Sequence, residues 1–155
     1  MTVENLTSCQ TLFSKLCKAD DKTLAMQRMK YLEELGEFFR EYLIKCSHDA
    51  HLSSMAHRRT CNASIHEEAI DCLIVLTRMK GEVLPCWRQD TRIVQGKESK
   101  EYYLFELQSA LVEGSLAEIV RNISRLISED HYHELLMRKL KRWESILIQN
   151  GLLYA

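Results

Sequence analysis

The stretch Ser64-Ile65-His66-Glu67-Glu68-Ala69-Ile70-Asp71-Cys72-Leu73-Ile74-Val75-Leu76 is apolar on nearly every side of a 3.6-residue period once past its first turn. A helix without a polar face belongs in the middle of a bundle, because none of its sides gains from contact with water. Asp71 nevertheless sits inside it. Burying an unpaired carboxylate costs several kcal/mol, so Asp71 must be paired, protonated or bound to a metal. Ser64 and Glu67 have the S-x-x-E spacing of a capping box, which gives Glu67 a structural role at the helix start. Glu68 and Asp71 stand at i, i+3 and have no such role.

Working outward from this central helix, taken as 64–80, periodicity predicts four more, at 3–18, 22–46, 100–128 and 131–149, with no alternating strand. Five glycines and a single proline, Pro85, leave few turn formers, which favours long regular elements. The expected fold class is all-α, a bundle of about five helices. Asp20 or Asp21, Ser64, Ser99 and Ser128 or Asp130 are the candidate N-caps, and Asn150-Gly151 is a C-terminal stop. In the last helix Leu136, Leu140, Trp143 and Leu147 line one face, which must be buried. In the second, Met29, Leu32, Leu35, Phe39, Tyr42 and Cys46 read as core, with Lys30, Glu34, Glu37 and Glu41 opposite. The connections 47–63 and 81–99 are long, and loops of that length often carry function.

At 155 residues and 18.2 kDa the chain is the size of one domain. Residues 1–155 are therefore read as a single domain. Its chemistry lies in a core at about 22–80, and the helices over 100–149 serve packing or oligomer contacts. A composition of 46% apolar and 28% charged residues excludes disorder. With Lys+Arg 21 against Asp+Glu 22 there is no basic field to attract a phosphate backbone, so nucleic acid is not expected as a partner. No apolar run reaches bilayer length, and MTVENLTSCQ lacks both a basic and an apolar leader segment, so no membrane association and a cytoplasmic location are expected. Cys9, Cys17, Cys46, Cys61, Cys72 and Cys86 form no C-x-x-C pair and read as reduced core residues.

A second acidic segment, Glu33-Glu34-Leu35-Gly36-Glu37, falls on the second helix. Glu34 and Glu37 are i, i+3 and point the same way, with Glu41 a turn further on, and stacked like charges repel unless a cation offsets them. Two helices that each offer two acidic side chains can converge four carboxylates. Hard oxygen donors in that number suit Mg²⁺, with Mn²⁺ as the alternative, and not zinc.

E-E-L-G-E at 33–37 followed one helix later by E-E-A-I-D at 67–71 resembles the EExxE…ExxD signature of the MazG-like, all-α nucleoside triphosphate pyrophosphohydrolases, over roughly residues 25–80. The resemblance implies Mg²⁺-dependent hydrolysis of a (deoxy)nucleoside triphosphate to monophosphate and pyrophosphate by a homodimer or homotetramer of helical subunits. It places Glu34, Glu37, Glu68 and Asp71 on metal-ligand positions and Glu33 on an auxiliary acidic one, with a role in orienting water. Lys30, one turn before Glu34, and Arg78, two turns after Asp71, are candidates for phosphate oxygens. Trp87 in the 81–99 connection, with Arg88, Arg92 and Lys97, is a candidate for stacking a base.

Other readings of the same residues stay open. Lys30–Glu34, Glu41–Lys45 and Glu37–Arg40 are helix-spaced ion pairs that could leave a solvated face, and Asp71 could pair with Arg78 or with an arginine of another helix. The competing function is a non-enzymatic helical interaction or regulatory module. His66-Glu67 begins an H-E-x-x-H zinc pattern, but position 70 is isoleucine. Cys46, His48, His51, His57 and Cys61 match no zinc spacing. Arg58-Arg59, His131 and His133 read as structural or surface residues.

Overall fold

The structure, a computed structural model, describes residues 2–46, 65–88 and 100–154. Among these, six helices and no strand occur: α1 (Thr2–Ala19), α2 (Leu24–Cys46), α3 (Ile65–Met79), α4 (Lys100–Glu113), α5 (Leu116–Leu126) and α6 (Glu129–Gln149). The all-α expectation holds. Among the described residues no helix is long and apolar enough to cross a membrane.

The apolar run at 69–76 makes α3 the central element. Ala69, Ile70, Cys72, Leu73, Ile74 and Leu76 are buried, and α3 packs against α2, α4, α5 and α6. The face Leu136, Leu140, Trp143 and Leu147 turns α6 toward the core, where it also packs on α1. Leu104, Leu107, Leu111, Ile119, Ile123 and Leu126 are all buried within this one chain. They therefore serve internal packing.

The single helix expected over 100–128 is two. Gly114 adopts φ +74°, a left-handed conformation that ends α4, and Ser115 then caps α5 by accepting from the Glu118 amide. Thr23, and not Asp20 or Asp21, caps α2, its hydroxyl accepting from the Met26 amide at 3.2 Å. Ser128 caps α6 as expected, and Asn150 with Gly151 at φ +75° closes it. Ser64 and Ser99 lie outside the described residues, as does most of the 47–63 and 81–99 connections. Cys9, Cys17, Cys72 and Cys86 are free thiols.

The rotation of α2 differs from the sequence expectation. Met29 and Leu32 are 69% and 67% exposed, whereas Tyr31, Glu34 and Phe38 are buried. Leu35, Phe39 and Tyr42 lie between these extremes, half-buried against the core. The helix carries two overlapping apolar stripes, and the one chosen inserts the Phe38 ring and lets the Tyr31 hydroxyl donate to the Leu111 carbonyl at 2.5 Å. The carboxylate of Glu34 is carried inward with them.

Candidate metal and phosphate site

Because α2 turns Glu34 inward and α3 presents Glu68 from the neighbouring helix, carboxylate oxygens of Glu34, Glu37 and Glu68 come within 4.8 Å of one another. Glu34 is 7% and Glu68 8% exposed, while Glu37 reaches solvent. Oε2 of Glu34 and Oε2 of Glu68 are both buried without a hydrogen-bond partner. Leaving such groups unpaired is costly, and the molecule responds by favouring their neutral forms. Burial, then the charge of Asp71, pushes the Glu34 carboxyl up to about 7. Burial, Asp71 and a hydrogen bond with Glu37 push Glu68 up to about 8.

Three of the four expected carboxylates thus form one group. The fourth, Asp71, lies in the same cleft but is held by a cation: Lys139 Nζ of α6 stands 3.0 Å from Asp71 Oδ2 and 3.8 Å from Glu67 Oε2. Burial raises the Asp71 pKa, with Lys139 and Arg142 opposing the rise. The alternative to a metal ligand, an ion pair, names an arginine for Asp71. The structure supplies a lysine, itself 8% exposed along its side chain. Lys30 behaves as its spacing implied, with Nζ 3.1 Å from both Glu33 and Glu34. Burial disfavours its charge, but hydrogen bonds to these two carboxylates outweigh that effect and raise its pKa.

Lys30, Glu33, Glu34, Glu37, Asp71 and Lys139 line a cleft of about 500 Å³ between α2, α3 and α6, with Glu68 buried behind Glu37 and not among the lining residues. One wall is acidic, from Glu33, Glu34 and Glu37. The facing side carries Asp71 with Lys139 and Arg142, and Ile74, Val75, Trp143 and Ile146 supply apolar surface. Lys139 and Arg142 were missed in the sequence, although K-L-K-R at 139–142 places both one turn apart beside the buried Leu140–Trp143 face. Glu67, read as half of a capping box with Ser64, which lies outside the described residues, accepts from Arg138 at 2.8 Å.

Arg78 lines the cleft, yet its guanidinium is already engaged. Nη1 lies 3.1 Å from Asp20 Oδ2, Nη2 donates to the Asp20 carbonyl, and the group stacks 5.6 Å from the Trp143 ring centroid. Trp87 is not among the cleft-lining residues. Its indole donates to the Ile127 carbonyl at 3.1 Å and its ring packs on the core. The Arg88 amide donates to Ser124 Oγ, and Arg92, Lys97, Arg58 and Arg59 lie outside the described residues, as do His48, His51, His57, Cys61 and the Cys46 side chain. His133 is buried beside Tyr132, away from the cleft.

The donor set fits a hard divalent cation. Three oxygen-bearing side chains converge, two of them buried with an oxygen that nothing satisfies, which is the arrangement a Mg²⁺ or Mn²⁺ ion would complete. Comparison of the chain with protein-family models, curated proteins and solved structures gave no match.

Proposed function

We propose that this protein is a Mg²⁺-dependent nucleoside triphosphate pyrophosphohydrolase of MazG-like type, releasing nucleoside monophosphate and pyrophosphate. The observation that carries the reading is the convergence of Glu34, Glu37 and Glu68, with a buried, unsatisfied oxygen on Glu34 and on Glu68. Glu34, Glu37 and Glu68 would hold the cation, with Asp71 as a fourth oxygen donor once Lys139 turns to substrate. Mn²⁺ would serve in place of Mg²⁺. Bound there, a divalent ion supplies charge neutralisation for a triphosphate and activates water.

The chain's own side chains divide the remaining work. Lys139 and Arg142 offer cations to phosphate oxygens, and Lys30 can do so from the opposite wall. Glu33, more than half exposed and paired with Lys30, orients the water that adds to the α-phosphorus as the bond to the pyrophosphate leaving group breaks. Val75, Trp143 and Ile146 give the base and sugar an apolar wall that excludes water. Arg78 holds this wall through Trp143 and Asp20 and is a positioning residue.

A second reading, a non-enzymatic helical interaction or regulatory module, draws on the pairing of Glu34 with Lys30 and of Asp71 with Lys139, which partly neutralises the cleft. The two separate in one experiment. A nucleotide panel assayed for pyrophosphate release with and without Mg²⁺ should show metal-dependent turnover, abolished in Glu34→Gln and Asp71→Asn while helix content by circular dichroism is kept. Absence of release across the panel would reject the enzymatic reading.

A further inference from the structure

Glu67 and Asp71 stand four residues apart on α3 and therefore share a face. Arg138 and Lys139 come to that face from α6, and the fold uses the two cations differently. Arg138 donates to Glu67 Oε1 and to Glu134 Oε1 of its own helix, both at 2.8 Å, and its side chain is 52% exposed. Lys139 is buried along its stem, with Nζ 3.0 Å from Asp71 Oδ2 and 3.8 Å from Glu67 Oε2. Glu67 thus keeps a cation whichever way Lys139 points. Asp71 does not. Among the described residues Lys139 is the one cation within ion-pair distance of it, and Arg142 acts only from further off.

That asymmetry makes the Lys139–Asp71 contact separable from the rest of the network. A lysine is a compact charge on a flexible four-carbon stem, able to swing its head while the stem stays packed. Lys139 lines the cleft together with Arg142, so a phosphate group entering there meets an ammonium with one contact to exchange. Once released, Asp71 has an oxygen to give, one turn after Glu68 on the same helix. While Nζ sits on that oxygen, a divalent ion cannot take it without bringing two positive centres together. Lys30 sets no such block. It is 39% exposed, and Glu33 remains its partner when Glu34 turns to an ion.

We infer that Lys139 is a latch on Asp71, holding the carboxylate set incomplete until a polyphosphate draws the ammonium off, so that divalent cation and polyphosphate each raise the affinity for the other. The inference rests on the metal-site reading of the cleft and adds an order to it. The bare protein binds the cation weakly, through the glutamates alone, and Asp71 joins only with polyphosphate in place. Because Lys139 and Asp71 occupy one another, removing either frees the other for its own ligand, and the coupling is reciprocal.

Four proteins test this: the parent chain, Lys139→Met, Asp71→Asn and the double variant, each checked for helix content by circular dichroism. Mn²⁺ affinity is read by electron paramagnetic resonance without phosphate, and pyrophosphate affinity by calorimetry in EDTA. Lys139→Met should tighten Mn²⁺ binding at least about fivefold in the parent and leave it nearly unchanged beside Asp71→Asn. Asp71→Asn should tighten metal-free pyrophosphate binding by a similar factor, an effect lost beside Lys139→Met. No tightening of pyrophosphate by Asp71→Asn overturns the latch even where Lys139→Met does not fold. A gain in Mn²⁺ affinity of equal size in both backgrounds would make Lys139 a distant charge, and unaltered affinities would make the pair structural; either result overturns the latch while the metal site stands. Absence of Mn²⁺ binding from all four proteins would overturn the metal-site reading and the latch with it.

Discussion

Glu68 is the side chain whose cost to the fold is clearest. It is buried, one of its oxygens has no partner, and its carboxyl is pushed up to about 8 by burial, Asp71 and Glu37. Glu68→Gln keeps the shape, removes the charge and lessens the repulsion. Without metal this variant should be more stable than the parent at pH 8.5, by about 1 kcal/mol or more, which for a chain of this size raises Tm by about 2–4 °C. Added Mg²⁺, which should raise the Tm of the parent, should have little effect on the variant. A fall in Tm without metal would mean that Glu68 has a structural partner and would remove it from the metal set. The acidic residues were legible in the sequence because i, i+3 spacing on two helices is a local signal. Lys139 and Arg142 were not, because they come from α6, far along the chain, and only tertiary packing brings them to Asp71.

At the scale of elements, the joint between α1, α3 and α6 rests on Asp20. Its local spacing reads as a helix cap, but the structure uses it as a tertiary hub. Its carboxylate accepts from the Lys22 amide at 3.0 Å and from Trp143 Nε1 at 2.8 Å, and meets Lys22 Nζ and Arg78 Nη1 at 3.2 and 3.1 Å. Burial alone would raise its pKa, but these partners outweigh it and hold the carboxyl below its ordinary value. Asp20→Ala leaves the Arg78 guanidinium and the indole N–H without their acceptor inside the joint. The expected loss is about 3–5 kcal/mol, measured by urea unfolding. A loss below about 1 kcal/mol would mean that the hub is replaced by solvent and contributes little. Periodicity found the helices but misjudged two of their details. On α2 it could not choose between the stripes through Met29 and Leu32 and through Tyr31 and Phe38, since Leu35, Phe39 and Tyr42 lie between them. Over 100–128 it ran through Gly114, although Ser115-Leu116-Ala117-Glu118 repeats the S-x-x-E spacing of Ser64–Glu67.

For the whole molecule, the cleft makes stability depend on pH and on divalent cations together. Glu34 and Glu68 hold protons in the folded state up to about 7 and about 8 that their unfolded counterparts release near 4.5. Between those values the folded chain binds more protons than the unfolded one, so without metal stability falls as pH rises from about 4.5 through about 8. Asp20 works in the other direction, since its depressed pKa gives stability that is lost as pH falls into the acid range. A cation held by Glu34, Glu37 and Glu68 must displace the protons on Glu34 and Glu68, so its affinity grows with pH over the same window in which the bare cleft becomes costly. Thermal unfolding measured from pH 5 to pH 9 with chelator and with Mg²⁺ should therefore give two curves that nearly coincide at pH 5 and diverge above pH 7. At Mg²⁺ about 100 times its Kd the gap should approach about 2.7 kcal/mol. Curves that stay parallel would mean that Mg²⁺ acts by screening surface charge. Divergence lost in Glu68→Gln but kept in Glu41→Gln, on the same helix as Glu34 but outside the converging group, would locate the coupling in the cleft.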